Sequence, residues 1–433
     1  QSAAPAASQP PQNTAEVTEP PISTEPVNLV MWNSFFTGPN DSKMDKKDWY
    51  ITQAIQRFQQ TYPNISVEVS TVTAGLDTIA KFKAAGVAQN GPDIATLWSC
   101  SYSLAVKQFL LPLDSYLTAD DRNNITQWWT VREGLVDDGP VTYGYPNNDT
   151  GITCIFYNKA LVKAAGLNFD ANPPKTMQAF TDACQAIKDT GVVPITMTMK
   201  DGGAEAYMVP YWFGQAAGGT AKFVELMQGK TTFSKEPAFI AADKAQKDLY
   251  DKGYINTDVL SLAWGELDNR FLAGKTAMVV GGSWYISAYE PLGADLGMIP
   301  FPSISDDAAI QNSGIGGAGI LVGVTTYCKH PNEAVKFIQF LESKDEMIAF
   351  AKYSPGIIPN RKDIDINAVT DNALLKQQAQ WENNGIVVWL DNVMPGEWAA
   401  EWFKLAPLYM TGKLSEADYL QKLDEKQAET LGK

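Results

Sequence analysis

Between residues 28 and 98 the apolar pattern switches repeatedly between two periods, and this alternation limits the fold more than any other feature of the chain. Asn28 to Trp32 reads as a buried strand, after which Ile51, Ala54, Ile55 and Phe58 recur at helical spacing. Pro63-Asn64 breaks that helix, and Ile65, Val67 and Val69 then alternate as a strand does. A second helix is predicted across Leu76 to Ala85, and Gly91-Pro92-Asp93 leads into the strand Ile94 to Trp98. A β-α-β-α-β order predicts a parallel sheet covered by helices on both faces. Sheets of that kind take ligands beyond the carboxyl ends of their strands, where Trp32 and Trp98 fall. Asp93, within Gly-Pro-Asp, reads as a turn or cap residue.

A second α/β region begins near Tyr143-Gly-Tyr-Pro146, with a strand at Ile152 to Tyr157, a helix at Thr176 to Asp189 and a short strand at Val193 to Met197. Residues 270–284 then read as a helix end, a glycine stop at Gly274, a buried strand from Ala277 to Val280, and a Gly281-Gly282 bend that delivers Trp284 to a sheet edge. The stretches beginning at Leu296 and running from Gly316 to Val324 are expected to return to the first lobe as strands. A helix follows with Ala334, Phe337, Ile338 and Leu341 on one face.

Composition removes several functions. A net charge of −15 supplies no basic footprint for nucleic-acid phosphates or anionic membrane surfaces. The single histidine, His330, precedes a helix and reads as a loop or cap residue, so a multi-histidine metal site cannot form. No metal site and no cofactor are expected, although an oxygen-only Ca²⁺ site stays open. Cys100, Cys154, Cys184 and Cys328 are widely spaced; Cys184 shares an apolar stripe with Met177, Phe180 and Ile187, which predicts a buried thiol. Disulfides stay open in an exported chain. Residues 1–26 are rich in Ala, Ser, Pro and Thr, lack Lys and Arg, and predict a disordered tether.

Several segments, in order, resemble the carbohydrate-binding extracellular solute-binding proteins of bacterial ABC importers, the group that includes the maltose-binding proteins. They are Thr52 to Val69, Gly91-Pro-Asp-Ile-Ala-Thr-Leu-Trp98, Leu111-Pro-Leu-Asp-Ser-Tyr-Leu117, Tyr143 to Lys159, Phe271 to Trp284, and Pro331-Asn-Glu-Ala-Val-Lys-Phe337. The resemblance implies an α/β fold of two lobes, each a mainly parallel sheet flanked by helices, with a ligand cleft between them. It groups 27–146 with 290–342 as one lobe and 147–289 with 343–433 as the other. It further implies a non-catalytic, monomeric protein at the extracellular face of a bacterial membrane. A lipid anchor ahead of the tether would hold it there, and it would hand a neutral oligosaccharide to ABC permease subunits.

Carried over by position, Trp98 and Trp284 match sugar-stacking residues on opposite lobes, with Ser99 beside the first. Glu205 and Tyr207 are similar to a Glu-x-Tyr segment that offers a carboxylate and an aromatic face; Asn148 and Asp149 occupy the crossing between lobes. Glu397-Trp398 resembles a late aromatic loop, and Trp264 is added as a further aromatic. The loop after the first strand, with Asn33, Phe35, Phe36 and Asp41, departs from the maltose pattern and is similar to other oligosaccharide binders. Flat aromatic rings cover the apolar faces of a pyranose, while carboxylates and amides pair with its hydroxyl rim. Two alternatives stay open: the same fold binding a non-sugar solute such as a polyamine, and a glycoside hydrolase using Asp149 with Glu205 as its carboxylate pair.

Overall fold

A computed structural model describes residues 21–432 apart from 151–152, 201–204, 219–220, 283–284, 305–313, 383–385 and 388. Two sheets organise it, and both are mixed.

The first sheet contains β1 (Val27–Asn33), β2 (Ile65–Thr71), β3 (Ile94–Trp98), β4 (Tyr145–Thr150) and β10 (Ala318–Val324), in the order β2-β1-β3-β10-β4. As the alternating periods predict, β1 runs parallel to β2 and to β3. The expectation of a mainly parallel sheet fails at β10, which lies antiparallel to both β3 and β4, with Ile320 opposite Trp98 and Val322 opposite Tyr145. An apolar run such as Ile320 to Val324 marks a buried strand but carries no information about its direction.

The helix Tyr50–Thr61 buries Tyr50, Ile51, Ala54 and Phe58 against this sheet, the face that its spacing predicts. Asp93 performs its turn role by accepting a hydrogen bond from the Val30 amide at 2.9 Å, which fixes the start of β3 to β1.

The second sheet runs β11-β9-β5-β7-β6, from β5 (Thr153–Asn158), β6 (Val193–Thr196), β7 (Thr276–Gly282), β9 (Gly314–Ile315) and β11 (Ile386–Val387); β8 (Leu296–Ile299) also pairs with β5. Every residue of β5 is buried because both faces of the sheet are covered. Its odd and even positions serve different cores. Ile155 and Tyr157 join Phe180, Trp212, Trp398 and Trp402, whereas Cys154 and Phe156 join Leu267, Phe271, Tyr289 and Trp381. Gly297 on β8 lets the Tyr157 ring lie flat against the backbone, since a Cβ there would sit 2.2 Å from that ring.

Membership of the sheets differs from the sequence grouping at two places. Leu296–Ile299 pairs with β5 in the second sheet, so only β10 returns to the first. The helix Lys344–Tyr353, grouped by sequence with the second lobe, places Phe350 in the core of the first beside Phe36 and Tyr50. The chain therefore crosses between sheets after β4, between β9 and β10, and again after Tyr353. At this last crossing the Asn360 side chain donates to the carbonyls of Pro146 and Thr126 at 2.7 and 3.2 Å, tying two crossings together.

All four cysteines are free thiols, and Cys184 is buried on the predicted stripe. His330 is the residue that precedes the helix Pro331–Leu341. Among the described residues no helix is long and apolar enough to cross a membrane.

Candidate functional site

β1 and β3 run parallel and end on the same edge of the first sheet, so Asn33 and Trp98 emerge side by side. Their fates differ. Asn33 is fully buried: its Oδ1 accepts from the amides of Phe35 and Phe36 at 3.2 and 2.9 Å, and its Nδ2 donates to the Phe36 carbonyl at 3.1 Å. That side chain shapes the turn, and its burial closes it to a ligand. Phe36 is buried as well, and Phe35 packs edge-on against Phe36 and Phe350. Asp41 accepts from the Tyr353 hydroxyl, while its carbonyl takes the Trp49 indole N–H at 3.0 Å. Ser99 is buried, with its hydroxyl donating to the Ala318 carbonyl at 2.6 Å. Of these predicted contacts Asn33, Phe36 and Ser99 are buried scaffold, while Phe35 and Asp41 are half-buried: the sequence marks polar and aromatic residues beyond a strand end but not which of them the turn itself consumes.

Trp98 is half-buried, with its ring 5.3 Å from that of Tyr102 on the following helix Cys100–Leu104. Gly75 lies beside the far edge of the indole, where a Cβ would stand 3.9 Å from it. An aromatic platform at the carboxyl edge of the first sheet is thereby formed by Trp98 with Tyr102.

On the second lobe Trp264 opens the helix Trp264–Leu272 and is half-buried between Tyr207, 6.1 Å away, and Tyr285, nearly parallel at 6.4 Å. Tyr285 stacks on Tyr289 at 5.4 Å, and Tyr289 is anchored by donating its hydroxyl to Asp268 at 2.8 Å. A row of aromatic faces results, rooted in the core at one end and half-open at the other. Sequence reasoning named Tyr207 and Trp264 but missed Tyr285, whose signal was its place directly after Trp284 in the sequence. Trp284 lies outside the described residues, as do the side chains of Asn148, Asp149 and Glu205.

The late aromatic loop is a correction. Trp398 is fully buried, 6.2 Å from Phe233 within the core of the second lobe, and Glu397 is exposed and paired with Lys426 at 3.1 Å. The helix Gly396–Met410 buries Trp398 and Trp402 one turn apart on the same face, so the spacing is that of a core stripe. The acid that does meet the first lobe is Asp391, on the short helix Leu390–Val393. Its Oδ2 accepts from the Tyr102 hydroxyl at 3.2 Å, and its Oδ1 is enclosed without a hydrogen-bond partner among the described residues. Burial pushes this carboxyl up to about 6. The segment carrying Asp391 touches the helices of Tyr102 and Tyr207 alike, so it bridges the aromatic groups of the two lobes.

The sequence model of the bacterial extracellular solute-binding proteins matches residues 43–348. The chain belongs to that family. Among characterised folds, this solute-binding protein is similar to a chitin oligosaccharide binding protein, with a TM-score of 0.75 at 22% identity over 94% of this chain and 100% of the other. It is also similar to the GacH receptor of Streptomyces glaucescens, solved unliganded and with acarbose, with a TM-score of 0.72 at 21% identity over 94% and 99% of the two chains. An uncharacterized ABC transporter extracellular-binding protein of Pyrococcus horikoshii is 24% identical over 319 residues, 71% of this chain and 67% of that one. The two-lobed fold, the assignment to ABC-transporter solute binding and a non-enzymatic family follow from these matches.

Proposed function

We propose that this solute-binding protein captures a neutral oligosaccharide between its lobes, closes over it by hinge rotation, and delivers it to membrane permease subunits. The observation that carries the reading is the pair of half-open aromatic platforms, Trp98 backed by the buried Tyr102 on one lobe and Tyr207, Trp264 and Tyr285 on the other, bridged by the segment of Asp391. Such faces cover the C–H surfaces of pyranoses, and the carboxylate accepts from their hydroxyls. The chitin oligosaccharide and acarbose receptors named above support the substrate class. Three crossings between sheets supply a hinge in which a few backbone positions absorb rotation. Ligand touching both lobes stabilises the closed form by its differential affinity. Residues 1–20, outside the described residues, would tether the protein to a lipid anchor at the extracellular face. Residues 21–26, expected from sequence to belong to that tether, are instead held on the first lobe, where Ser23 bonds to Glu333 and Asn64 and Ile22 packs on the core.

Titration with a panel of neutral oligosaccharides tests the reading. A cognate sugar is expected to release heat, shift tryptophan fluorescence, contract the particle in small-angle scattering, and be recovered intact. Trp98→Ala should weaken binding by about 2–4 kcal/mol, roughly 30- to 1,000-fold, by the measure of a buried aromatic hot spot. Silence across the panel, or a response to spermidine alone, overturns the sugar assignment.

A further inference from the structure

Tyr102 and Asp391 stand on opposite lobes: the helix Cys100–Leu104 follows β3 of the first sheet, and Leu390 and Val393 on either side of Asp391 are set in the core of the second. A 3.2 Å hydrogen bond joins them across the two lobes. In that arrangement Oδ2 takes the Tyr102 hydroxyl, the amides of Asp391 and Asn392 lend the carboxylate some support, and Oδ1, shut away from solvent, meets no hydrogen-bond partner among the described residues. Among the described residues no Lys or Arg pairs with Asp391. A buried carboxylate served this poorly is expensive, whereas the same group facing water in a parted cleft is fully solvated.

We propose that Asp391 couples occupancy to closure: its under-satisfied carboxylate opposes closing of the empty cleft, and a hydrogen-bond donor of the solute, brought to Oδ1, removes the opposition. The inference rests on the closure reading above and adds to it the residue through which the ligand acts. It also selects ligands. A solute that presents a hydroxyl or amine donor at this point closes the protein; one that presents only an acceptor or an apolar group there leaves the carboxylate unserved.

A proton can stand in for the ligand's donor, which gives the test. The closed arrangement raises the Asp391 carboxyl to about 6, against the 3.8 of an ordinary aspartate. Closure therefore takes up a proton, so acid favours the closed form in the window between about 6 and about 4, and the opposition is complete above it.

Other ionisable groups lie on the elements packed against this helix. Burial lifts the Tyr102 hydroxyl well above its usual range and the Cys100 thiol to about 12. Lys222 and Glu225 pair with each other at 2.6 Å, Glu397 pairs with Lys426, and Glu401 pairs with Lys404. Tyr207 and Tyr211 complete the ionisable groups with described side chains on the helix Glu205–Ala217.

Interlobe distance in the ligand-free protein, read between two spectroscopic labels at about pH 5 and about pH 7, decides the matter. The closed-to-open ratio of the wild type is expected to be roughly tenfold higher at the lower pH. Asp391→Asn should show no such response, and Glu342→Gln, which alters a buried acid elsewhere, should keep it. Tyr102→Phe, which removes the hydroxyl donor, should open the protein further at about pH 7. Equal distances in the wild type at both pH values, or a response that survives in Asp391→Asn, overturns the proposal. If a sugar closes the protein while pH does not, this inference fails and the capture reading stands; a pH response with no response to any sugar has the opposite meaning.

Discussion

Glu342→Gln would take a titration out of the middle of the fold while leaving its shape unchanged. Glu342 follows the helix Pro331–Leu341 and is fully buried; one carboxyl oxygen accepts from the Asn147 amide on β4, and the other has no partner among the described residues. Burial foremost, with the Asp121 charge adding to it against the Asn147 hydrogen bond, lifts this carboxyl from 4.5 to about 8. The folded protein then holds a proton that the unfolded chain has released. Stability must fall as pH rises through the window from about 4.5 to about 8, and be level outside it. The slope is about 1.4 kcal/mol per pH unit, so roughly 3 kcal/mol is lost between about pH 5 and about pH 7.

Glutamine is neutral throughout and keeps an acceptor for Asn147, so its stability should lack this slope. Asp243, lifted to about 7, and Asp391, lifted to about 6, contribute in the same sense. They do so in both proteins and cancel in the difference. Urea unfolding followed by tryptophan fluorescence at several pH values measures it. The variant should overtake the wild type as pH rises; parallel curves would refute the assignment of a protonated, buried Glu342.

Trp398→Ala should destabilise the protein by about 3–5 kcal/mol through the cavity it leaves, while the affinity of whatever folds is unchanged; thermal unfolding beside calorimetric titration separates the two effects. Arg361, 2% exposed, donates to Asp120 at 2.9 Å, to Asp363 at 2.9 Å and to the buried Glu342 carbonyl at 3.0 Å. Both carboxylates reach solvent, so Arg361→Met chiefly strands that carbonyl and should cost about 1–3 kcal/mol in urea unfolding. The same substitution should let the Asp363 carboxyl, which Arg361 holds below its ordinary value, return upward in an NMR titration.

Local periodicity was legible and long-range pairing was not. The stripe Ile51, Ala54 and Phe58 is written in adjacent turns of one helix, and the structure buries it as expected. Direction and sheet membership are properties of two segments far apart in sequence, so the apolar runs at β8 and β10 looked alike although they join different sheets. The same divide runs through the site. Trp98 was reached through its resemblance to a family segment and Trp264 only as a further aromatic, and both are half-buried. Trp398 was misplaced because Pro395-Gly396 reads as a loop, yet Trp402 four residues on already carried the helical signal. Asp391, in Leu-Asp-Asn-Val, looks like any acid opening a helix until Tyr102, hundreds of residues earlier, is brought against it. Asn33 illustrates the converse: its polarity is visible in the sequence, but its consumption by two neighbouring amides is not.

The insertion of β10 between β3 and β4 has a consequence for how the chain assembles. Strands 94–98 and 145–150 never touch each other directly; both wait for residues 318–324 to fill the gap. A nascent or truncated chain ending before residue 318 would leave two unpaired strand edges, whereas β5 to β8 can pair among themselves from residues 153–299. The first sheet therefore cannot close before residue 324 is in place, and the second takes its last strand, 386–387, only after that.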